Sequence, residues 1–338
     1  MAAVKTDVLV YAHWLGMYEP VKMGVLSAQE VRGSIVWSFN FEKNWLKQNP
    51  NVFLDPDLIS FTGNQFLSGQ KTIFGMFGDS MPDTWGRTLL KKREVLLQES
   101  GNTPKRLTEL DFLLGVFDES RMGGLRFKLD EEGPFLDNDV LHSIPPIANV
   151  RELEFAVRMV ESEDDIESVR KWLQILLAPG SSLGGARPKS TVIDENGDLW
   201  IAKFPSRLDT IDKGAWEYLA WKLAKDAGIQ VPMARLEKLS ERHHTFFSKR
   251  FDREGAERVH FASAMTMTGH VEIELRNQPA SYLDLAEFIQ FHGASPETDL
   301  KELWRRIVFT IAISNTDDHL RNHGFILSDK GWRLSPAY

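Results

Sequence analysis

The sequence contains no cysteine. That one absence excludes disulfides, thiolate metal sites and cysteine nucleophiles together, and with them the small secreted scaffolds stapled by disulfides; a reducing compartment is the natural setting. Long hydrophobic runs are missing too. Nothing approaches the roughly 20 apolar residues of a membrane span, and Met1-Ala2-Ala3-Val4-Lys5-Thr6-Asp7-Val8 holds no apolar stretch long enough for a signal peptide. A cytoplasmic protein without membrane contact is expected. Positive charge is in short supply: the formal net charge is −8. That argues against a generally basic nucleic-acid surface, so DNA contact would need a local patch or a partner. The densest basic run, Lys91-Lys92-Arg93, is followed at once by Glu94 and reads as a solvated helix face. Internal repeats and low-complexity tracts are absent as well.

What is present suffices for real cores, since 338 residues with 42% hydrophobic content can form two or three folded units. From Asp7 to about Phe39, short apolar runs such as Val8-Leu9-Val10-Tyr11 alternate with Gly and Pro and predict a small sheet. Helices follow: Thr84-Trp85-Gly86-Arg87 leads into a charged amphipathic stretch, and Thr108 is an N-cap candidate ahead of an acidic first turn. Glu132-Gly133-Pro134, Asp137-Asn138-Asp139 and Ile144-Pro145-Pro146 mark a surface connection. The expected division is a unit at 1–130, a connection at 131–150 and a second unit at 151–338. Helical periodicity from Arg151 to Leu177 is interrupted by the acidic run 161–165, read as a solvated turn.

The second unit carries the candidate chemistry. Asp317 precedes Asn322 by five residues, just ahead of an apolar segment. In a phosphotransfer loop an Asp takes or orients the hydroxyl proton, and an Asn five residues on holds magnesium against the phosphates. Both belong on one loop because hydroxyl and phosphate must meet in line. An Asx-rich turn after a helix would give the same pair. Upstream, Gly180-Ser181-Ser182-Leu183-Gly184-Gly185-Ala186-Arg187-Pro188-Lys189 can wrap phosphate with amide groups, hydroxyls and Lys189, although it lacks the frame of a Walker loop. An ordinary Gly-Ser connection is the plain alternative.

Lys203 lies on the alternating strand Leu199-Trp200-Ile201-Ala202-Lys203-Phe204, in the place of a phosphate-pairing lysine; a lysine on the wet face of a sheet is the other reading. From Gly214 to Gly228, Trp216, Leu219, Ala220, Leu223 and Ala224 recur at helical spacing. Glu217 in that helix either fixes Lys203 toward a nucleotide or complements the helix dipole. Phe246 to Arg253 reads as a strand ending in a charged turn, whose backbone from Lys249 to Phe251 could meet adenine, with Arg250 and Asp252 as a structural ion pair. Leu303 to Ile313 is a helical run delivering the Asp317 loop, and residues 324–334 form a hairpin.

The order of these elements, with Met81-Pro82-Asp83-Thr84-Trp85-Gly86-Arg87, Met122-Gly123-Gly124-Leu125-Arg126-Phe127, Ser182 to Lys189, Lys203-Phe204-Pro205, Arg250-Phe251-Asp252-Arg253 and Asn315 to Asn322, resembles the HipA family of bacterial serine/threonine kinases, toxins of type II toxin-antitoxin pairs. The resemblance spans nearly the whole chain and is most specific in the last motif. It implies an α+β, protein-kinase-like two-lobed fold preceded by a small N-terminal α/β subdomain. It implies ATP and Mg2+, with Asp317 the catalytic Asp, Asn322 the magnesium ligand, His319 lining the nucleotide site and Lys203 pairing phosphates. Ser182 matches the family's autophosphorylated serine, in a loop that also brings Gly184, Gly185 and Lys189 near the nucleotide. The implied partners are a helix-turn-helix antitoxin, through which DNA is reached, and a protein substrate such as an aminoacyl-tRNA synthetase.

Members of that family continue past Ser335-Pro336-Ala337-Tyr338 with a second magnesium-binding Asp and further helices, so a C-lobe truncated at Tyr338 is expected, and the 338-residue chain itself can be inactive. Two other readings share these residues. One is a catalytically degenerate HipA-like protein acting as an antitoxin-bound corepressor; the other is a small-molecule phosphotransferase.

Overall fold

The computed structural model describes residues 5–31, 33–67, 69–99, 106–139, 143–162, 172–173, 176, 185–275 and 279–338. Alternation in the first segment does what period-two patterning requires. In β1 (Lys5–Ala12) Val8, Val10 and Ala12 are buried while their neighbours are at least partly exposed. Antiparallel pairing continues through β2 (Val21–Val31), β3 (Ser34–Phe41) and the short β4 (Gln65–Phe66), and β5 (Leu125–Lys128) returns to the other side of β1, giving the order β4-β3-β2-β1-β5. Thr108 caps the helix Glu109–Leu114 in a reciprocal box with Asp111, as its sequence predicts.

A second antiparallel sheet has the order β6-β7-β9-β8, from β6 (Lys189–Ile193), β7 (Leu199–Lys203), β8 (Ala234–Glu237) and β9 (Thr245–Lys249). The helix Val150–Ser162 lays Leu153, Val157 and Val160 against it, in a core shared with Val192, Ala202, Phe204 and Phe247. Trp85 and Leu89, from the helix Thr84–Glu99, belong to that same core.

After a two-stranded ribbon of β10 (Arg253–Glu254) and β11 (Glu257–Arg258) comes a third sheet, β12-β13-β14, made of β12 (Phe261–Ser263), β13 (Gly324–Ser328) and β14 (Gly331–Leu334). The expected hairpin at 324–334 is thus formed, with Phe325 opposite Leu334. It packs with the helices Tyr282–His292 and Pro296–Ala312 in one core continuous with the first sheet. The first sheet and the last hairpin of the chain therefore share one core.

Two buried polar joints fix this arrangement. Arg250 holds Asp252 through Nε (2.8 Å) and Nη2 (2.7 Å), while its Nη1 donates to the Ser120 carbonyl at 2.6 Å. Asp252 also accepts the Gly123 amide at 2.9 Å. Burial alone would raise the Asp252 pKa, but Arg250 and Arg253 hold it far below the usual carboxylate range. The second joint is His260, stacked on Trp14 with ring centroids 4.7 Å apart and 5.6 Å from Trp332.

The helix predicted from Gly214 to Gly228 forms as Lys213–Asp226, but Trp216, Leu219 and Leu223 point outward, 60%, 44% and 46% exposed. The buried positions are the small residues Gly214 and Ala224. A Cβ on Gly214 would lie 2.2 Å from the His244 carbonyl oxygen. The helix approaches the sheet through its smallest residues, so its bulky ones cannot occupy that face. Among the described residues no helix is long and apolar enough to cross a membrane.

Candidate active site

The strand β7 ends at Lys203, opposite Phe246 of β9, and its ammonium lies 5.6 Å from that ring. Asp212 caps the following helix by accepting the Ala215 amide at 3.0 Å, which sets Glu217 on the turn facing the sheet. Lys203 Nζ donates to Glu217 Oε1. The sequence reading of these two residues as a pair therefore describes their geometry.

Opposite them, the helix Pro296–Ala312 ends in a turn with Ser314 at φ 55°, and the chain enters the Asp317 loop. The Asp317 amide donates to Asn315 Oδ1 at 3.1 Å, and the Asn322 amide donates to the His319 carbonyl at 2.8 Å. Asn322 Nδ2 donates to the Asp317 carbonyl at 2.7 Å. Its Oδ1 takes no hydrogen bond among the described residues, so the acceptor end of that amide is the available one.

These walls enclose a cleft of about 310 Å³ whose lining includes Lys203, Glu217, Asn315, Asp318 and Asn322, with Ala220, Trp221, Ile229 and Phe309 supplying apolar surface. An apolar slot flanked by a paired lysine on one side and amide and carboxylate oxygens on the other suits a ligand with a flat apolar part and an anionic part. No group of three or more His, Asp or Glu able to hold a metal exists among the described residues. Magnesium is nonetheless compatible with oxygen donors such as Asn322 Oδ1, because it commonly takes one or two protein oxygens and completes its shell with water and phosphate.

The other predicted residues are placed as follows. Asp317 lies exposed on the loop and is not part of the cleft lining, whereas its neighbour Asp318 is. Lys189 is buried 2.6 Å from Asp83 and 3.2 Å from the Gly185 carbonyl; it is the cross-strand neighbour of Lys203 but does not line the cleft, and burial pulls its pKa down while Asp83 opposes that. Lys249 pairs with Asp198 at 2.5 Å, and its amide donates to the Met233 carbonyl at 2.8 Å. The Arg250 amide donates to the Leu199 carbonyl, so both strand-end amides are engaged within the protein. Phe251 packs on Tyr338, with ring centroids 5.4 Å apart, and Tyr338 lines the cleft. His319 is exposed and accepts the Arg321 amide at 3.2 Å through Nδ1. Ser182 and Gly184 lie outside the described residues.

Sequence reasoning passed over Asp318, His323 and Tyr282. Asp318 accepts hydrogen bonds from Tyr282 Oη and from His323 Nε2, the latter at 3.0 Å. Burial pushes its pKa up, but His323 and Tyr282 outweigh that and hold the carboxyl below its ordinary value. Burial and then Asp318 push the Tyr282 hydroxyl up to about 12. The signal available in sequence was adjacency: an Asp doublet at 317 and 318, and a His directly after Asn322.

Residues 181–338 match the HipA-like C-terminal domain family. A Haemophilus influenzae protein named "Putative kinase" is 24% identical over 179 residues, covering 47% of this chain and 52% of its own length, so the chain spans about half of that relative. Among solved structures, HipA from the Shewanella oneidensis MR-1 complex of HipA, HipB and operator DNA superposes with a TM-score of 0.64 at 16% identity, covering 97% of this chain and 75% of that one. The Helicobacter pylori proinflammatory kinase CtkA covers 46% of this chain and 54% of its own at 21% identity, but its TM-score of 0.38 is too low to bear on the fold. The architecture is thus a two-lobed, kinase-like α/β fold. The domain match at 181–338 and the whole-chain likeness of fold support an assignment to the HipA-like kinases.

Proposed function

We propose that this chain is an ATP-dependent serine/threonine protein kinase, the toxin of a toxin-antitoxin pair. The observation that carries the reading is the Lys203–Glu217 pair facing Asn322 across one cleft. Glu217 holds the lysine in place for α- and β-phosphates, and the apolar wall accepts a base. Asp317 takes the proton of a serine or threonine hydroxyl as the new oxygen–phosphorus bond forms, the bond from the γ-phosphorus to the β-phosphate oxygen breaks, and ADP leaves. Magnesium, held by Asn322, would offset phosphate charge during that transfer.

Ser182 is the proposed site of autophosphorylation, where about two added negative charges would expel its loop from the phosphate site. A helix-turn-helix antitoxin is the proposed partner, with DNA reached only through it. The Shewanella protein, which shares the fold, is itself part of a complex with HipB and operator DNA.

The test is incubation of the chain with labelled ATP and magnesium in the presence of candidate proteins. Label on Ser182 or a protein, lost in Asp317→Asn, is the expected result; undiminished label in that variant overturns the role of Asp317. Transfer to a sugar or aminoglycoside but to no protein selects the small-molecule phosphotransferase. Tight antitoxin binding without nucleotide binding selects the corepressor.

A further inference from the structure

The Asp317 loop is held closed by a contact that no motif announces. Asp318 Oδ1 accepts from His323 Nε2 at 3.0 Å, and Oδ2 accepts from the same nitrogen at 3.2 Å and from Tyr282 Oη. His323 Nδ1 is buried without a partner among the described residues, which places the ring hydrogen on Nε2, donating to Asp318. The Tyr282 and His323 rings meet edge to face, 5.9 Å between centroids.

Both anchors are rigid. Tyr282 begins the helix Tyr282–His292, whose start is fixed by a reciprocal cap between Ser281 and Asp284. His323 is buried directly before β13, and its carbonyl accepts the Ala264 amide at 2.9 Å. The Asp318–His323 contact therefore closes a loop of which Asn322 is part, and within it Asn322 Nδ2 is spent on the Asp317 carbonyl. An amide with its nitrogen tied down inside a closed loop has its oxygen aimed in one direction.

We propose that Asp318 is a positioning residue for metal–nucleotide binding: clamped by Tyr282 and His323, it fixes the loop so that Asn322 offers Oδ1 to a divalent cation bound with nucleotide phosphates. Asp318 also lines the cleft, but both its oxygens are engaged by these donors, so its leverage is exerted through the loop. The proposal rests on the reading of the cleft as a nucleotide site. Loss of a group that orients a metal ligand commonly lowers metal affinity about 10- to 100-fold, without a matching loss of contacts made elsewhere by the ligand.

The experiment is calorimetric titration of ATP into the full chain and its variants, once with magnesium and once with a chelator. Asp318→Ala is expected to raise the Kd of Mg-ATP about tenfold and leave metal-free ATP binding within about twofold. Asp318→Asn, which still accepts from one donor, falls between. Should Asp318→Ala fail to fold, Tyr282→Phe removes a single donor and must shift the magnesium-dependent Kd in the same direction. Equal losses with and without magnesium mean a merely structural role and overturn the proposal, as does no loss in either. An unaltered chain that binds ATP in neither condition overturns the kinase reading itself.

Discussion

Asp83 and Lys189 lie 106 residues apart in sequence and form a buried ion pair at 2.6 Å, with only 4% of each side chain exposed. Asp83 also accepts the Gly86 amide at 2.8 Å, capping the helix that follows, and the Trp85 indole donates to the Lys189 carbonyl at 3.0 Å. The Asp83-Thr84-Trp85 segment is therefore the anchor of the strand that follows the Gly-Ser loop. Removing one member strands a buried charge, which typically costs about 3–5 kcal/mol. Asp83→Ala should lose about that much in urea unfolding, and the double variant Asp83→Leu with Lys189→Met should recover part of it. A loss below about 1 kcal/mol, the range of a solvated pair, would contradict the buried-pair account.

Lys203 and Glu217 are the opposite case, since both side chains are partly exposed. Such a pair adds at most about 1 kcal/mol to stability. Lys203→Met should therefore shift the melting temperature by less than about 4 °C. In the same variant, ATP affinity should fall about 10- to 100-fold, the worth of a charge-assisted bond to phosphate. Fluorescence-monitored melting and nucleotide titration on one preparation would read both. A large drop in melting temperature with unchanged affinity would make the lysine structural.

His260 is fully buried between Trp14 and Trp332, and desolvation pushes its pKa from 6.5 down to about 3. The folded protein thus refuses a proton that the unfolded chain accepts below pH 6.5. This contribution to stability is complete above that pH and is lost progressively as pH falls toward 3. Between pH 7 and pH 5 the loss is about 2 kcal/mol. His260→Phe keeps a ring in the stack, so its denaturation free energy should fall by about 2 kcal/mol less over that interval. An identical pH slope in the variant would show that His260 does not titrate in this way.

Arg250 and Asp252 are tied to the distant Ser120–Gly123 segment. Asp252→Ala leaves Arg250 buried without its carboxylate and should cost about 3–5 kcal/mol. Protein that remains folded should bind ATP normally, because neither residue lines the cleft. Weakened binding in the folded fraction would point to a direct role instead.

Much of the local structure was legible because its causes are local. Val8, Val10 and Ala12 alternate, Thr108 and Asp111 cap each other, and 324–334 turns back on itself with Gly331 at φ 124°. Each of these depends on residues within a few positions. Of the candidate site, Lys203, Glu217 and Asn322 meet at one cleft, and their order along the chain already suggested it. The orientation of the helix Lys213–Asp226 was not legible. Its period was right, but the face it buries is chosen by the close approach of Gly214 to the His244 carbonyl.

By itself, then, the sequence determined where strands and helices form and which chemical groups follow one another, since hydrogen-bond periods and caps act over a few residues. Only the tertiary structure decided that Lys189 turns to Asp83 while Lys203 faces the cleft, and that Asp318 is clamped by Tyr282 and His323. Burial and charge pairing between positions as far as 106 residues apart depend on how the cores close, and no local period encodes that.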